Sequence, residues 1–270
     1  FKDVFIMELP NIQSEKGLRL WREEIIRLKD YMEEKFQVVI SDEDVRRAIR
    51  QENSRRKALK RLYEVMKLEP VPIKGMDLLN VLYGSKYRLD TDQVAEDINR
   101  LTDRILEEYN PDPGKKRRPR ILITGCPIGG DSVKIVKAIE DNGGVVVAFE
   151  NCTGAKVIDK FVDEEDPDIY GAIARKYFYI GCAIMTPNDN RIELLGRMID
   201  EFRADGVVEM ILSGCHSVHM ESISVRNFVS EEKHIPYIDV VTDYSRGDIG
   251  QLNTRMSAFI EMLESGHYLS

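Results

Sequence analysis

The sequence predicts an α/β protein: a mostly parallel, doubly wound sheet in the C-terminal half, joined to a helix-rich part of an N-terminal α/β domain. Three observations lead there. Near-continuous apolar runs such as Gly206 to Leu212, bounded by glycine-containing turns, read as strands buried on both faces, as in a parallel sheet covered by helices. Four such runs alternate with helical segments, which implies right-handed crossovers between parallel strands. Cysteines recur just past three of the strand ends, where sheets of this kind collect their chemistry.

Composition bounds the reading. With 270 residues the chain is long enough to bury a real core. Hydrophobic content of 43% and charged content of 32% fit a soluble globular protein. A net charge of -8 and a pI near 5.3 lack the basic footprint of a nucleic-acid binder. No apolar run reaches the length of a membrane-spanning helix, so no membrane role is expected. The chain opens at Phe1 without an initiator Met, and the expectation is a remaining part of a longer protein. Four widely spaced cysteines do not resemble a disulfide-stapled secreted domain, and a reducing cytoplasm with free thiols is the better reading.

Three units follow in order: an incomplete helix-rich domain over 1–110, a linker over 111–119, and a C-terminal α/β domain over 120–270 with cysteine-bearing strand-end loops. DVFIMEL, from Asp3 to Leu9, has strand composition and stops at Pro10. Apolar positions between Ser14 and Phe36 recur at helical spacing. Ser41 with three acids opens a second helix, running to about Leu68. That helix is dense in Arg and Lys; phosphate binding is one reading, and a solvated face with acids nearby is the simpler one. Helices follow near Gly75 and from Thr91, and then NPDPGKKRRPR supplies the linker. Beyond Pro119, strands are expected at Ile121–Thr124, Val145–Phe149, Gly206–Leu212 and Tyr237–Val241. The intervening helices are placed over VKIVKAIEDNGG, at Ile169–Tyr179, at Arg191–Arg203 and around Ile223–Ser230, with a last helix over QLNTRMSAFIEML.

GCPIGG, from Gly125 to Gly130, lacks both the dinucleotide fingerprint and the Walker spacing. A tight strand-to-helix turn and a backbone anion cradle both remain open for it. Cys126, Cys152, Cys182 and Cys215 are separated by 26, 30 and 33 residues, which fits neither a compact zinc motif nor a ferredoxin run. Thiolates from separate loops can still converge on an iron–sulfur cluster, so all four are candidate metal ligands; buried filler is the alternative. Cys215 and His216 are adjacent, but adjacency alone makes no nucleophile–base pair. His216, His219 and Glu221 are candidates either to support the groups at the site or to transfer protons, against the commoner outcome of a satisfied surface histidine.

ELPN, GCPIGG, ENCTG, GCAIMTPNDNR, DGVVEMILSGCHSVHMES and TDYSRGDIGQLNTRMSAFIEML occur in this order. Together they resemble the 2-hydroxyacyl-CoA dehydratase and benzoyl-CoA reductase family, with the nearest likeness to its double-cubane cluster proteins. The resemblance implies two α/β domains with an iron–sulfur cluster, a single [4Fe-4S] or a double cubane, at the base of the cleft between them. It also implies an ATP-dependent iron–sulfur activator protein as electron donor. The leading expectation is therefore a homodimeric reductase of small molecules, with Cys215 the first choice as ligand and the other three cysteines nearby. The alternatives are a heterodimeric dehydratase or benzoyl-CoA reductase subunit acting on a CoA thioester, and a non-catalytic activator-binding scaffold. His216 and Glu221 are the expected catalytic groups. The family's N-terminal cysteine motif has no counterpart in this chain.

Overall fold

The computed structural model describes residues 4–112, 114 and 116–266. Its N-terminal half is helical. Helix α1 (Glu15–Phe36) starts where Ser14 Oγ accepts the Gly17 N–H. Helix α2 (Asp42–Glu64) starts on a full capping box between Ser41 and Asp44. Helices α3 (Gly75–Gly84) and α4 (Thr91–Glu108) complete this half, the latter capped by Asp90.

Strand and helix then alternate: β1 (Arg120–Gly125), α5 (Lys134–Asp141), β2 (Val145–Phe149), α6 (Ala155–Ile158), α7 (Ile169–Phe178) and α8 (Asp189–Glu201). They continue as β3 (Gly206–Leu212), α9 (His216–Asn227), β4 (Tyr237–Thr242) and α10 (Ile249–Ser265). The strands form one parallel sheet in the order β2-β1-β3-β4. The expected doubly wound α/β arrangement is what forms. Stepping from β1 out to β2 and back across to β3 reverses the direction of winding. Right-handed crossovers then send α5 and α8 to opposite faces. α10 packs with α5 on one side, while Phe228 just past α9 meets Gly196 of α8 on the other. β1 and β2 are buried along their whole length because both faces are covered, and β4, at the edge, is half exposed.

One apolar cluster joins the N-terminal helices to this sheet. Leu59 and Leu62 of α2, Leu78 and Leu82 of α3 and Val94 of α4 belong to it together with Ile121, Val146 and Phe149. The contact is close: a Cβ on Gly75 would sit 2.5 Å from the Val146 carbonyl oxygen, so only glycine lets α3 approach β2 this far. No helix among the described residues is long and apolar enough to cross a membrane.

Two local expectations fail. The strand expected over Asp3–Leu9 does not form; residues 4–10 carry no strand, and Asp3 itself lies outside the described residues. No neighbouring strand of the described chain offers a ladder, so the segment lies along α1 instead. There the Glu8 N–H donates to Glu24 Oε2 at 2.9 Å and Arg27 Nη2 donates to the Ile6 carbonyl at 2.7 Å. The helix placed around Ile223–Ser230 begins seven residues earlier, at His216. Its first two turns expose Met220 and Ile223, which blurs the helical periodicity that would have marked them.

Candidate functional site

The winding reverses between β1 and β3, and the crevice beyond the carboxyl ends of those two strands is the switch point where open α/β sheets bind ligands. Cys126 follows β1 directly and Cys215 follows β3 after a short turn, so the two cysteines flank that crevice. Gly125 makes the approach possible. Its φ is +99°, and a Cβ there would lie 2.2 Å from the Met210 carbonyl oxygen. The next N–H, that of Cys126, donates to the same oxygen at 2.7 Å.

The two thiols interact, and their environments differ. Cys126 is 1% exposed, and its Sγ accepts the Leu212 N–H at 3.3 Å. Burial, with a smaller contribution from Cys215, pushes its thiol up to about 11. Cys215 is half-buried and forms the N-cap of α9. Its smaller burial works against ionisation. The Val218 N–H, the Cys126 thiol and the Ser217 hydroxyl outweigh it and hold Cys215 below the ordinary thiol range. Of the pair, Cys215 is therefore the more readily ionised and Cys126 the less.

Cys152 and Cys182 form the other half of the constellation. Cys152 follows β2, and burial raises its thiol, with Lys156 opposing that and the charge of Cys182 adding to it. Hydrogen bonds tie the two strand-end loops together: Asn151 Nδ2 donates to the Cys126 carbonyl at 3.0 Å, and the Ile128 N–H to Thr153 Oγ1 at 2.9 Å. The four cysteines therefore stand as two pairs on neighbouring loops. Among the described residues no group of three or more His, Cys, Asp or Glu side chains is gathered closely enough to hold a metal ion. Strand-end thiols, one of them with a depressed pKa, are the donor chemistry an iron–sulfur cluster takes, so the residues fit as a share of a ligand set.

His216 is exposed on the first turn of α9, and among the described residues its imidazole makes no hydrogen bond. His219 is exposed one turn on. Glu221 is engaged: it accepts from Asn188 Nδ2 at 2.6 Å and from Arg191 Nη1 at 2.7 Å. That pairs it with Arg191, an arrangement that matches the supporting role the sequence reading offered beside proton transfer.

Arg191 is the residue that sequence reasoning missed. At 2% exposed, it donates through Nη2 to Glu209 Oε1 at 2.7 Å and to Thr124 Oγ1 at 3.1 Å. Thr124 in turn donates to Glu150 Oε2 at 2.5 Å, and Tyr237 donates to Glu209 Oε2 at 2.6 Å. Lys156 Nζ lies 3.2 Å from Glu150 Oε1, near enough for charge attraction but misaligned for a hydrogen bond. Three carboxylates and two cations thus sit beneath the switch point, with Glu150 and Glu209 fully buried. Burial alone would lower the Arg191 pKa; Glu150, Glu209 and Glu221 together hold it above its usual value. The legible signals were a lone acid inside the apolar strand at Glu209 and another directly after VVVAF at Glu150.

A hollow of about 450 Å³ opens over this network, between the Cys182 loop and α9. Met185, Pro187 and Asn188 wall one side, Ser217 and Met220 the other, and Arg191 and Glu221 lie between them. Asn188 Oδ1 is buried there with no hydrogen-bond partner among the described residues. The volume is in the range of small-molecule sites.

Comparison with known proteins agrees along nearly the whole chain. Residues 1–263 match the family model described as 2-hydroxyglutaryl-CoA dehydratase, D-component. The chain is also 44% identical over 264 residues to the Escherichia coli (strain K12) protein named "Putative dehydratase subunit YjiM", covering 97% of this chain and 69% of that one.

Proposed function

The chain belongs to the 2-hydroxyglutaryl-CoA dehydratase D-component family, and from that premise we propose that it is a subunit of a 2-hydroxyacyl-CoA dehydratase. Membership supports an enzymatic, lyase-type role: removal of water from a 2-hydroxyacyl thioester to give the 2-enoyl thioester. The family match favours this over the small-molecule reductase with which the cysteine loops led. The observation that carries it is the match over residues 1–263, on a fold with a hollow between the Cys182 loop and α9.

Within the proposal, Cys126 and Cys215 hold one side of an iron–sulfur cluster, and Cys152 with Cys182 supplies further thiols. Such a cluster, when bound, supplies single electrons at low potential. The chain's own part is to prepare the site. The Val218 N–H in the first turn of α9 favours ionisation of Cys215. Arg191 and Glu221 fix the floor of the hollow. Met185, Pro187 and Met220 give it apolar walls. The reading includes a reducing cytoplasm, a second non-identical subunit and an ATP-dependent activator as donor. The net charge of -8 suits encounter with a basic docking face.

The test is to reduce the anaerobically prepared protein with an activator and offer a 2-hydroxyacyl-CoA. Formation of the enoyl thioester is expected. Reduction of acetylene or azide with the thioester left intact would overturn the dehydratase reading in favour of the reductase. Cys215→Ser is expected to remove most bound iron and sulfide, and unchanged iron content would take Cys215 out of the ligand set.

A further inference from the structure

The basic helix conspicuous in the sequence, α2, contributes Arg55 and Arg56 to a hollow of about 230 Å³ that adjoins the Cys152 loop, where Thr153 lines it and Lys86 Nζ donates to the Cys152 carbonyl at 2.8 Å. Lys86, beyond α3, and Lys176 of α7 complete a ring of four cations, and no carboxylate lines it. Glu52 is the acid that answers them, 2.5 Å from Arg55 Nη2 and 3.8 Å from Arg56 Nη2, at the rim. Arg56 is buried, and both its Nη atoms donate to neutral partners, Asn53 Oδ1 at 3.0 Å and Tyr177 Oη at 2.9 Å. Arg55 Nε is buried with no hydrogen-bond partner among the described residues. Lys176, 4% exposed, donates to the Val157 carbonyl at 2.9 Å. Burial first, then the charge of Arg56, pushes its ammonium down to about 7.

A neighbouring groove shows what a purely structural cluster looks like. Lys60, Lys67 and Arg197 line it with Glu64, Asp159 and Glu201, and every cation has its acid. Lys67 Nζ lies 3.0 Å from Glu201 Oε2, and Arg197 Nη2 lies 2.8 Å from Asp159 Oδ2. Among the described residues Glu52 alone pairs with the four cations of this hollow, in a chain whose net charge is -8. Buried cations short of counter-charge are costly unless an anion joins them. Two guanidinium forks and two ammonium groups offer more donors than one carboxylate can use and match a phosphate dianion. The rest of the wall is aliphatic, with Leu59 and Val157 across from the charges. The volume admits a phosphate with a short carbon body and excludes a nucleotide.

We propose that this hollow binds a small organic phosphate, its phosphate among Arg55, Arg56, Lys86 and Lys176 and its carbon body against Leu59 and Val157. The assignment does not rest on the dehydratase reading. It is tested by titrating the chain with butyl phosphate, followed by phosphorus NMR, with inorganic phosphate and butyrate as competitors. Butyl phosphate is expected to bind with a Kd of about 1 mM or tighter. Arg55→Gln with Lys86→Gln is expected to weaken it about tenfold or more, whereas Lys60→Gln in the compensated groove leaves it unchanged. Lys86 is exposed, so Lys86→Gln alone carries the test should the double variant fail to fold. No binding near 10 mM, or equal affinity in these variants, overturns the site. Butyrate competing as well as butyl phosphate overturns the choice of phosphate. Inorganic phosphate binding as tightly overturns the carbon body.

Discussion

Two buried cations in this chain have opposite fates. Arg191, beneath the switch point, is surrounded by Glu150, Glu209 and Glu221, and its charge is held more firmly than in water. Lys176, in the four-cation hollow, has Arg56 and Arg55 for neighbours, and its charge is held less firmly. Both are almost fully buried. Burial works against both charges; three carboxylates overcome it at Arg191, whereas at Lys176 burial prevails and Arg56 adds to it. The contrast also separates two kinds of site. The Arg191 network sets two cations among three carboxylates, whereas the Lys176 hollow sets four cations against Glu52.

The largest expected effect lies on the Arg191 side. Arg191→Met leaves three acids with Lys156 alone, two of them without solvent. The loss should be about 3–5 kcal/mol in urea unfolding. A loss below about 1 kcal/mol would break the claim that the network is mutually compensated.

The Lys176 side gives a smaller effect with a distinctive pH dependence. The folded-state pKa of about 7 lies below the ordinary 10.5. Between those values the unfolded chain holds the proton that the folded chain has shed, so stability rises with pH across that window. Below about 7 the full cost of burying the charge is present. The difference between wild type and Lys176→Met should therefore change across pH 7 to 10.5 by on the order of 2–4 kcal/mol. Parallel stability curves for the two proteins would remove the contrast.

The smallest effect sharpens the comparison at the crevice itself. In metal-free protein near neutral pH, iodoacetamide should label Cys215 at least about tenfold faster than Cys126. Peptide mass analysis reads the order, and equal rates would mean that the α9 N-terminus does not hold a thiolate.

The sheet was legible because both-face burial writes itself into ILIT, VVVAF and GVVEMIL as nearly unbroken apolar runs. Cys126, Cys152 and Cys215 were legible as strand-end residues for the same reason. Asp3–Leu9 misled because strand composition says nothing about whether a neighbour exists to pair with. The start of α9 was hidden by Met220 and Ile223, which face outward where a helix bordering packed core would turn polar residues. Glu221 stood out in the sequence, yet its partners, Asn188 before α8 and Arg191 within it, lie about thirty residues away.

By itself the sequence determined the element order, the parallel sheet and the set of residues at its carboxyl edge, because these follow from local periodicity and from chirality that every chain shares. Tertiary structure alone decided the pairings: Cys126 with Cys215, Arg191 with three acids, Arg55 and Lys176 around one hollow. Each depends on how distant segments meet. The energy of a buried charge is set by neighbours within a few ångströms, which no local pattern along the chain encodes.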